Sequence, residues 1–397
     1  MGPDASIDPR SALREQLRAL VAADAALAGS LAESWDPADF AVRLATAATQ
    51  RGVDVGAAEI GEMLRHGLRA PPRLAIAPTP GWLPARVVGA GGDARVEWVW
   101  FGARRLIEPF YEESLGVVRY SPFNRLFGFS TRLAELQAPP DAPAPAGLVF
   151  HMSRCGSTLV AQMLAALPKT TVVSEAPPID AVVRVDAAAA GLHAAAHALL
   201  LRAMVGAVGQ PRAGETRLFL KLDSWHARAL PLFRRAFPAT PWVFLIREPV
   251  EVLVSHLRKP GMQAAGVLPA QDIGVAWRDG ATREDNAAAA LAAICEAAEQ
   301  AVGAGGGLVV NYDALPDALG GRILPHFGVR PSEAEARTMA AVAGRDAKQP
   351  DSAFAPDAGA KQTAASAAVR AAAAGRLAHA YARLDALSHA SGPATAA

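Results

Sequence analysis

The sequence predicts an α/β chain whose main body is a parallel sheet sandwiched by helices. Five short, nearly continuous apolar runs, at 148–152, 171–173, 218–222, 242–246 and 308–310, alternate with stretches of helical spacing. That is the pattern of strands buried on both faces. The first run leads directly into a small-residue turn, Ser153-Arg154-Cys155-Gly156-Ser157-Thr158, and then an apolar helix ending near Leu167. Proline supplies the punctuation. Pro71, Pro72, Pro78, Pro80 and Pro84 form one cluster, and Pro139, Pro140, Pro143 and Pro145 a second, neither compatible with a helix or a central strand. Three segments result: a small helical one at 1–69, a short strand-rich aromatic one at 81–136, and the α/β body at 147–390.

In the first segment, Ser11 is placed to cap a helix carrying Leu13, Leu17 and Leu20 on one face. Asp36-Pro37 is an N-cap followed by proline at the first helical position, Phe40, Leu44 and Ala48 follow as an apolar stripe, and Gly52 is a stop. A third helix is expected at about 56–66, with Ile60 and Leu64 inward. This succession resembles the leader-like domain of nitrogen-fixation-cluster-related natural-product precursor peptides, which implies docking of a protein partner through residues 1–69. A plain helical hairpin packed on the main domain stands beside it. In the second segment Trp98 and Trp100 alternate with Glu97 and Val99, a half-buried strand pattern. The aromatic residues around it, Phe110, Tyr111, Tyr120, Phe123, Phe127 and Phe129 among them, serve as core or as an acceptor groove.

The chain has 397 residues, 51% apolar and 19% charged, enough for a sizeable core. Its 39 Lys+Arg against 38 Asp+Glu leave a net charge of +1, without the basic excess of a nucleic-acid or membrane-surface binder. Anion recognition must therefore come from a local site. Two cysteines, Cys155 and Cys295, build no disulfide framework and point to a reducing compartment. With no basic-plus-apolar start, a cytoplasmic location is expected. The alanine- and arginine-rich composition reflects a GC-rich, bacterial genome and carries no functional weight.

A strand, a small-residue turn and a helix N-terminus together form an anion cradle, with exposed N–H groups and the helix dipole facing the ligand. Ser157 and Thr158 add hydroxyls. The Walker lysine and its spacing are absent, so a kinase with a degenerate P-loop fits poorly. The run Arg154-Cys155-Gly156-Ser157-Thr158-Leu159 after a buried strand resembles the 5′-phosphosulfate loop of sulfotransferases, which have a P-loop NTPase-like fold. That resemblance implies 3′-phosphoadenosine 5′-phosphosulfate (PAPS) as co-substrate, no metal, and a hydroxyl acceptor such as a peptide tyrosine, a sugar or a small alcohol. The segment Arg247-Glu248-Pro249, with Ser255 eight residues beyond the arginine, is similar to the family's 3′-phosphate motif, with Glu where Asp is usual. Arginine's fork suits a phosphate bidentately, while an ion pair with Glu248 or Glu251 is the structural alternative.

Two further positions complete the resemblance. Glu175, at the end of the second strand, matches the glutamate base of tyrosylprotein sulfotransferases; its alternative is a helix-entry carboxylate. Lys221, at the end of the third strand, matches the family lysine that stabilises the leaving oxygen; its alternative is an ion pair with Asp223. In 345–361, Lys348, Phe354 and Lys361 are placed to close over the nucleotide, and Lys361 is assigned to it, although the family's Arg-Lys-Gly run is missing. Asn311-Tyr312-Asp313 resembles a scaffold segment. The insert at 259–286 is an acceptor lid or a surface loop. His193 and His197, one helical turn apart, lack a third ligand and are expected to be structural or exposed. Cys155 sits where a helix N-terminus lowers thiol pKa values, but receives no catalytic role. Besides the kinase, a non-catalytic adaptor docking a maturation partner through 1–69 is the other rival.

Overall fold

The computed structural model describes residues 9–65, 71–76, 78–139, 142–349 and 351–390, with side chains from residue 12 onward. Two compact units emerge, Met1–Arg104 with Glu112–Leu136, and Arg105–Tyr111 with Gln137–Ala397.

The first unit opens with helices α1 (Pro9–Ala22), α2 (Ala25–Ala32), α3 (Pro37–Thr49) and α4 (Ala57–Arg65). Asp36 Oδ1 accepts the Asp39 N–H at 2.7 Å and Pro37 takes the first helical position, so α3 starts where its sequence signals place it. Ser11 is not the cap expected of it, because α1 begins earlier, at Pro9. His66, the expected end of the third helix, lies outside the described residues. Strands β1 (Trp82–Val88) and β2 (Arg95–Trp100), helices α5 (Tyr111–Arg119) and α6 (Pro122–Phe127), and strand β3 (Phe129–Arg132) follow. The three strands form an antiparallel sheet in the order β1-β2-β3.

Helices and strands of this unit share one core. Leu17, Phe40, Leu44 and Ile60 pack in a cluster with Phe123, Leu126 and Phe127 of α6. Trp82 meets Phe129 edge-on at 4.8 Å, and Phe127 lies 5.0 Å from Phe123 and 6.4 Å from Phe40. These rings are core, not groove; Tyr120 is 75% exposed and Phe110 only half-buried.

The second unit runs β4 (Gly147–His151), α7 (Ser157–Ala165), β5 (Thr170–Ser174), α8 (Pro177–Val183), α9 (Ala194–Val208), β6 (Arg217–Lys221), α10 (Leu230–Ala236), β7 (Trp242–Ile246), α11 (Pro249–Arg258), α12 (Ala270–Ile273), α13 (Arg283–Gly303), β8 (Gly307–Asn311), α14 (Leu324–His326), α15 (Glu333–Ala343), α16 (Ala358–Ala364), α17 (Ala367–Ala373) and α18 (Arg376–Ala390). Its strands pair in parallel in the order β5-β6-β4-β7-β8, flanked by helices, as the apolar runs predict. Every residue of β4, β5 and β7 is buried. Since all five strands point the same way, all five carboxyl ends meet on one edge, where open α/β sheets bind ligands.

His193 caps α9 by accepting the Ala196 N–H, and the buried His197 contacts the Val182 carbonyl at 2.8 Å; both are structural. The 259–286 insert is a packed arm. Its Leu268 and Ile273 bury against Trp225 and Ala290, and Asp272 pairs with Arg184 at 2.7 Å. Among the described residues no helix is long and apolar enough to cross a membrane.

Phe127 is 1% exposed and joins the helices of the first unit to its strands. Phe127→Ala is expected to lower stability by about 3–5 kcal/mol, measured as an earlier denaturant transition.

Candidate active site

Each strand of the parallel sheet delivers one chemically capable side chain to the shared edge. His151 ends β4, Glu175 follows β5, Lys221 ends β6, Arg247 follows β7 and Tyr312 follows β8. Backbone hydrogen bonds extend the sheet past the strand ends: Glu175 N–H donates to the Lys221 carbonyl at 2.7 Å, and Met152 N–H to Leu245 at 3.0 Å.

The loop after β4 is tightly wound. Ser153, Arg154 and Gly156 have φ values of 87°, 54° and 83°, a conformation unfavourable for the two non-glycine residues. Gly156 is required twice over. Its φ is positive, and an added Cβ would lie 2.8 Å from the Tyr312 ring and 2.9 Å from Leu315. Ser157 and Thr158 begin α7 and are buried, with Leu159 half-buried beside them. Arg154 donates to the Lys259 carbonyl at the start of the insert. Cys155 points inward, its thiol donating to the Leu245 carbonyl at 3.2 Å, and burial pushes its pKa up to about 12. The helix N-terminus therefore does not activate it, and its side chain is no part of the cradle surface.

Lys221 is 1% exposed and pairs with Glu175, not with Asp223. Burial pushes the Glu175 carboxyl up, but the Lys221 ammonium outweighs it and holds the carboxyl well below the ordinary range. Glu175 itself has φ 49°, another strained non-glycine residue turned into the site. Asp223 is buried, and burial, with Glu175 and Asp180 nearby, pushes its carboxyl well above the usual range. Behind it, Asp180 accepts from Trp225 Nε1 at 2.7 Å and lies 2.9 Å from His226 Nε2. The Phe110 ring sits 4.7 Å from Lys221 Nζ, so this residue of the aromatic segment belongs with the site in the second unit.

The second cationic end is equally well tied. Arg247, 4% exposed, bonds Glu251 through Nε at 2.7 Å and Asp357 through Nη2 at 2.8 Å, and its guanidinium stacks 3.9 Å from the Tyr312 ring centre. Lys361 pairs with the same Asp357 at 2.7 Å. A half-exposed carboxylate thus bridges two buried cations in the manner of a bound anion. Ser255 is turned away, its hydroxyl donating to the Glu251 carbonyl at 2.9 Å. Phe354 is 42% exposed.

Lys348 is exposed in area, yet protein crowds its ammonium. Partial burial, with Arg154 and Lys221 adding repulsion, pushes it down to about 8.

Three contributors escaped the sequence analysis. Tyr312, assigned there to scaffold, stacks on Arg247 and closes on Gly156. His151 is hidden as the last residue of an apolar strand, and Asp357 lies in a segment without a recognisable motif.

No protein-family model matches the chain, and no curated protein does. Among solved structures it is similar to the sulfotransferase domain from the curacin biosynthetic pathway, at 15% identity and TM-score 0.34, over 50% of this chain and 78% of that one. It is also similar to sulfotransferase STF9 from Mycobacterium avium, at 14% identity and TM-score 0.36, over 56% and 76%. A third is the sulfotransferase domain of the Synechococcus PCC 7002 olefin synthase, at 17% identity and TM-score 0.34, over 64% and 98%. Likenesses this slight leave the chemistry to the residues.

With both thiols buried, neither cysteine should react with a thiol reagent while the chain is folded. Labelling by iodoacetamide is expected only on a time scale set by unfolding, followed by mass spectrometry.

Proposed function

We propose that the chain is a sulfotransferase that moves a sulfuryl group from PAPS to a hydroxyl acceptor. The carrying observation is the Lys221–Glu175 pair at the carboxyl ends of β6 and β5, beside the tightly wound loop after β4, with the Arg247–Lys361 cations on the other side of that loop after β7. The two anionic ends of such a nucleotide need two separate cation sites, and this edge offers two. Asp357 on Arg247 and Lys361 supports the second: those side chains already hold one oxyanion between them.

The co-substrate would supply an activated sulfuryl group on a phosphate. As the acceptor oxygen bonds to sulfur, the bond to the bridging oxygen breaks, the acceptor proton passes to Glu175, and Lys221 meets the charge left on that oxygen. Glu175 is a weak base while Lys221 holds it, so the pair must part for either to act. The loop N–H groups at the start of α7 and Arg154 would hold the 5′ end, with Cys155 contributing backbone only, and Arg247, Ser255 and Lys361 would hold the 3′ end. Ser255 must rotate from the Glu251 carbonyl to do so. Two buried free thiols suit a reducing interior, and we place the activity in the cytoplasm.

Adenosine 3′,5′-bisphosphate is expected to raise the melting temperature more than ATP with Mg²⁺; the reverse order would overturn the assignment. Glu175→Gln keeps an acceptor for Lys221 but not a base. It should abolish sulfuryl transfer from PAPS while leaving bisphosphate binding intact, and retained turnover would remove Glu175 from its role. Lys348 is cationic below about pH 8 and neutral above it. Bisphosphate affinity measured by calorimetry should therefore fall as pH rises past that value, and Lys348→Gln should flatten the dependence.

A further inference from the structure

His151 is 4% exposed, and its two ring nitrogens are in different situations. Nδ1 accepts the Ser153 N–H at 3.0 Å, which settles the tautomer: the hydrogen of a neutral ring is on Nε2. Among the described residues Nε2 is buried without a hydrogen-bond partner, and it lies 3.5 Å from Glu175 Oε1. A buried donor left unmade is expensive, about 1–3 kcal/mol, and one aimed at a site calls for an occupant. The ring's other bond holds Ser153 at its unfavourable φ of 87°, so the imidazole is fixed by the loop it supports.

We propose that His151 is a positioning residue of this site: when Lys221 turns from Glu175 to the ligand, the His151 Nε2–H takes over the carboxylate and keeps it aimed at the acceptor. This rests on the sulfuryl-transfer assignment, under which the Lys221–Glu175 pair must open. Without a second donor, a carboxylate freed from its ammonium would be able to rotate or pick up a proton. The charged and titratable groups around Glu175 are Lys221 from β6, Asp223 from the turn after it, His151 from β4, Arg154 from the following loop and Lys348 from the 345–361 segment. Burial pushes the Asp223 carboxyl up and the His151 imidazole down, each toward its uncharged form, so His151 can donate without adding charge.

The two bonds of the ring can be removed separately. His151→Asn keeps an acceptor near Ser153 but loses the distal donor, whereas His151→Gln keeps a distal amide donor. With ¹³C-carboxyl-labelled glutamate, the titration of Glu175 is followed by NMR in the complex with adenosine 3′,5′-bisphosphate, a readout that needs no known acceptor. Loss of a donor to the carboxylate raises its pKa, so His151→Asn is expected to move the Glu175 titration up by roughly one pH unit. His151→Gln should stay near the wild-type value, and both variants should bind the bisphosphate. An unmoved titration in His151→Asn overturns the inference. So does ¹⁵N-histidine NMR of the free protein showing His151 protonated on Nδ1, whatever reaction the site performs. Failure of the wild-type chain to bind the bisphosphate overturns the nucleotide assignment itself, and the proposed handover with it.

Discussion

A lysine ammonium 1% exposed at the end of an inner strand is tolerable only if something negative meets it, and Glu175 does so. Removing one member of such a pair typically costs about 3–5 kcal/mol, because the other is left buried and uncompensated. That constraint organises the edge of the sheet. β5 must deliver its carboxylate in register with Lys221, which the Ser174–Lys221 pairing and the Glu175 N–H bond to the Lys221 carbonyl achieve. The positive φ of Glu175 is the local strain accepted to turn the side chain inward.

The same parallel sheet explains why the site is crowded with charge while the chain as a whole is nearly neutral. Five carboxyl ends on one edge bring His151, Glu175, Lys221, Arg247 and Tyr312 together from widely separated positions in the chain. Each buried cation is met by a carboxylate of the chain: Glu175 on Lys221, Glu251 and Asp357 on Arg247, Asp357 on Lys361. The two ends differ in kind. Around Lys221 the partner is 25% exposed, whereas Asp357 is 47% exposed and the more readily displaced by an incoming anion.

Much of this was legible because burial on both faces leaves a strong mark on sequence. Strands β4, β6 and β7 stand out as apolar runs, and Arg154, Gly156, Lys221 and Arg247 are conspicuous as the charged or small residues that end or follow them. What escaped depends on distant partners. The Arg247–Glu251 ion pair is one of the expected alternatives, but Asp357, 110 residues on, is not foreseeable, and Lys221 chooses Glu175 over the nearer Asp223. Tyr312 occupies the same place after β8 that Arg247 occupies after β7, a positional signal that was available. His151, a histidine closing an apolar strand just before an anion loop, was another. The common core of the helical and aromatic segments was invisible for a different reason, since periodicity shows that a face is apolar and not what covers it.

The strand order has a dynamic corollary. β4, with neighbours on both sides, carries the loop and His151, whereas Glu175 hangs from β5, which pairs with β6 alone. Edge strands lie nearer the low end of the local-opening ladder than central ones. The carboxylate is thus mounted on one of the two edge strands of the sheet and the lysine on an inner one. Fraying confined to the last residues of β5 would separate the two charges while the anion loop stayed in place. Amide exchange at Ser174 and Glu175 would then report on the pair's opening more directly than exchange anywhere in β4.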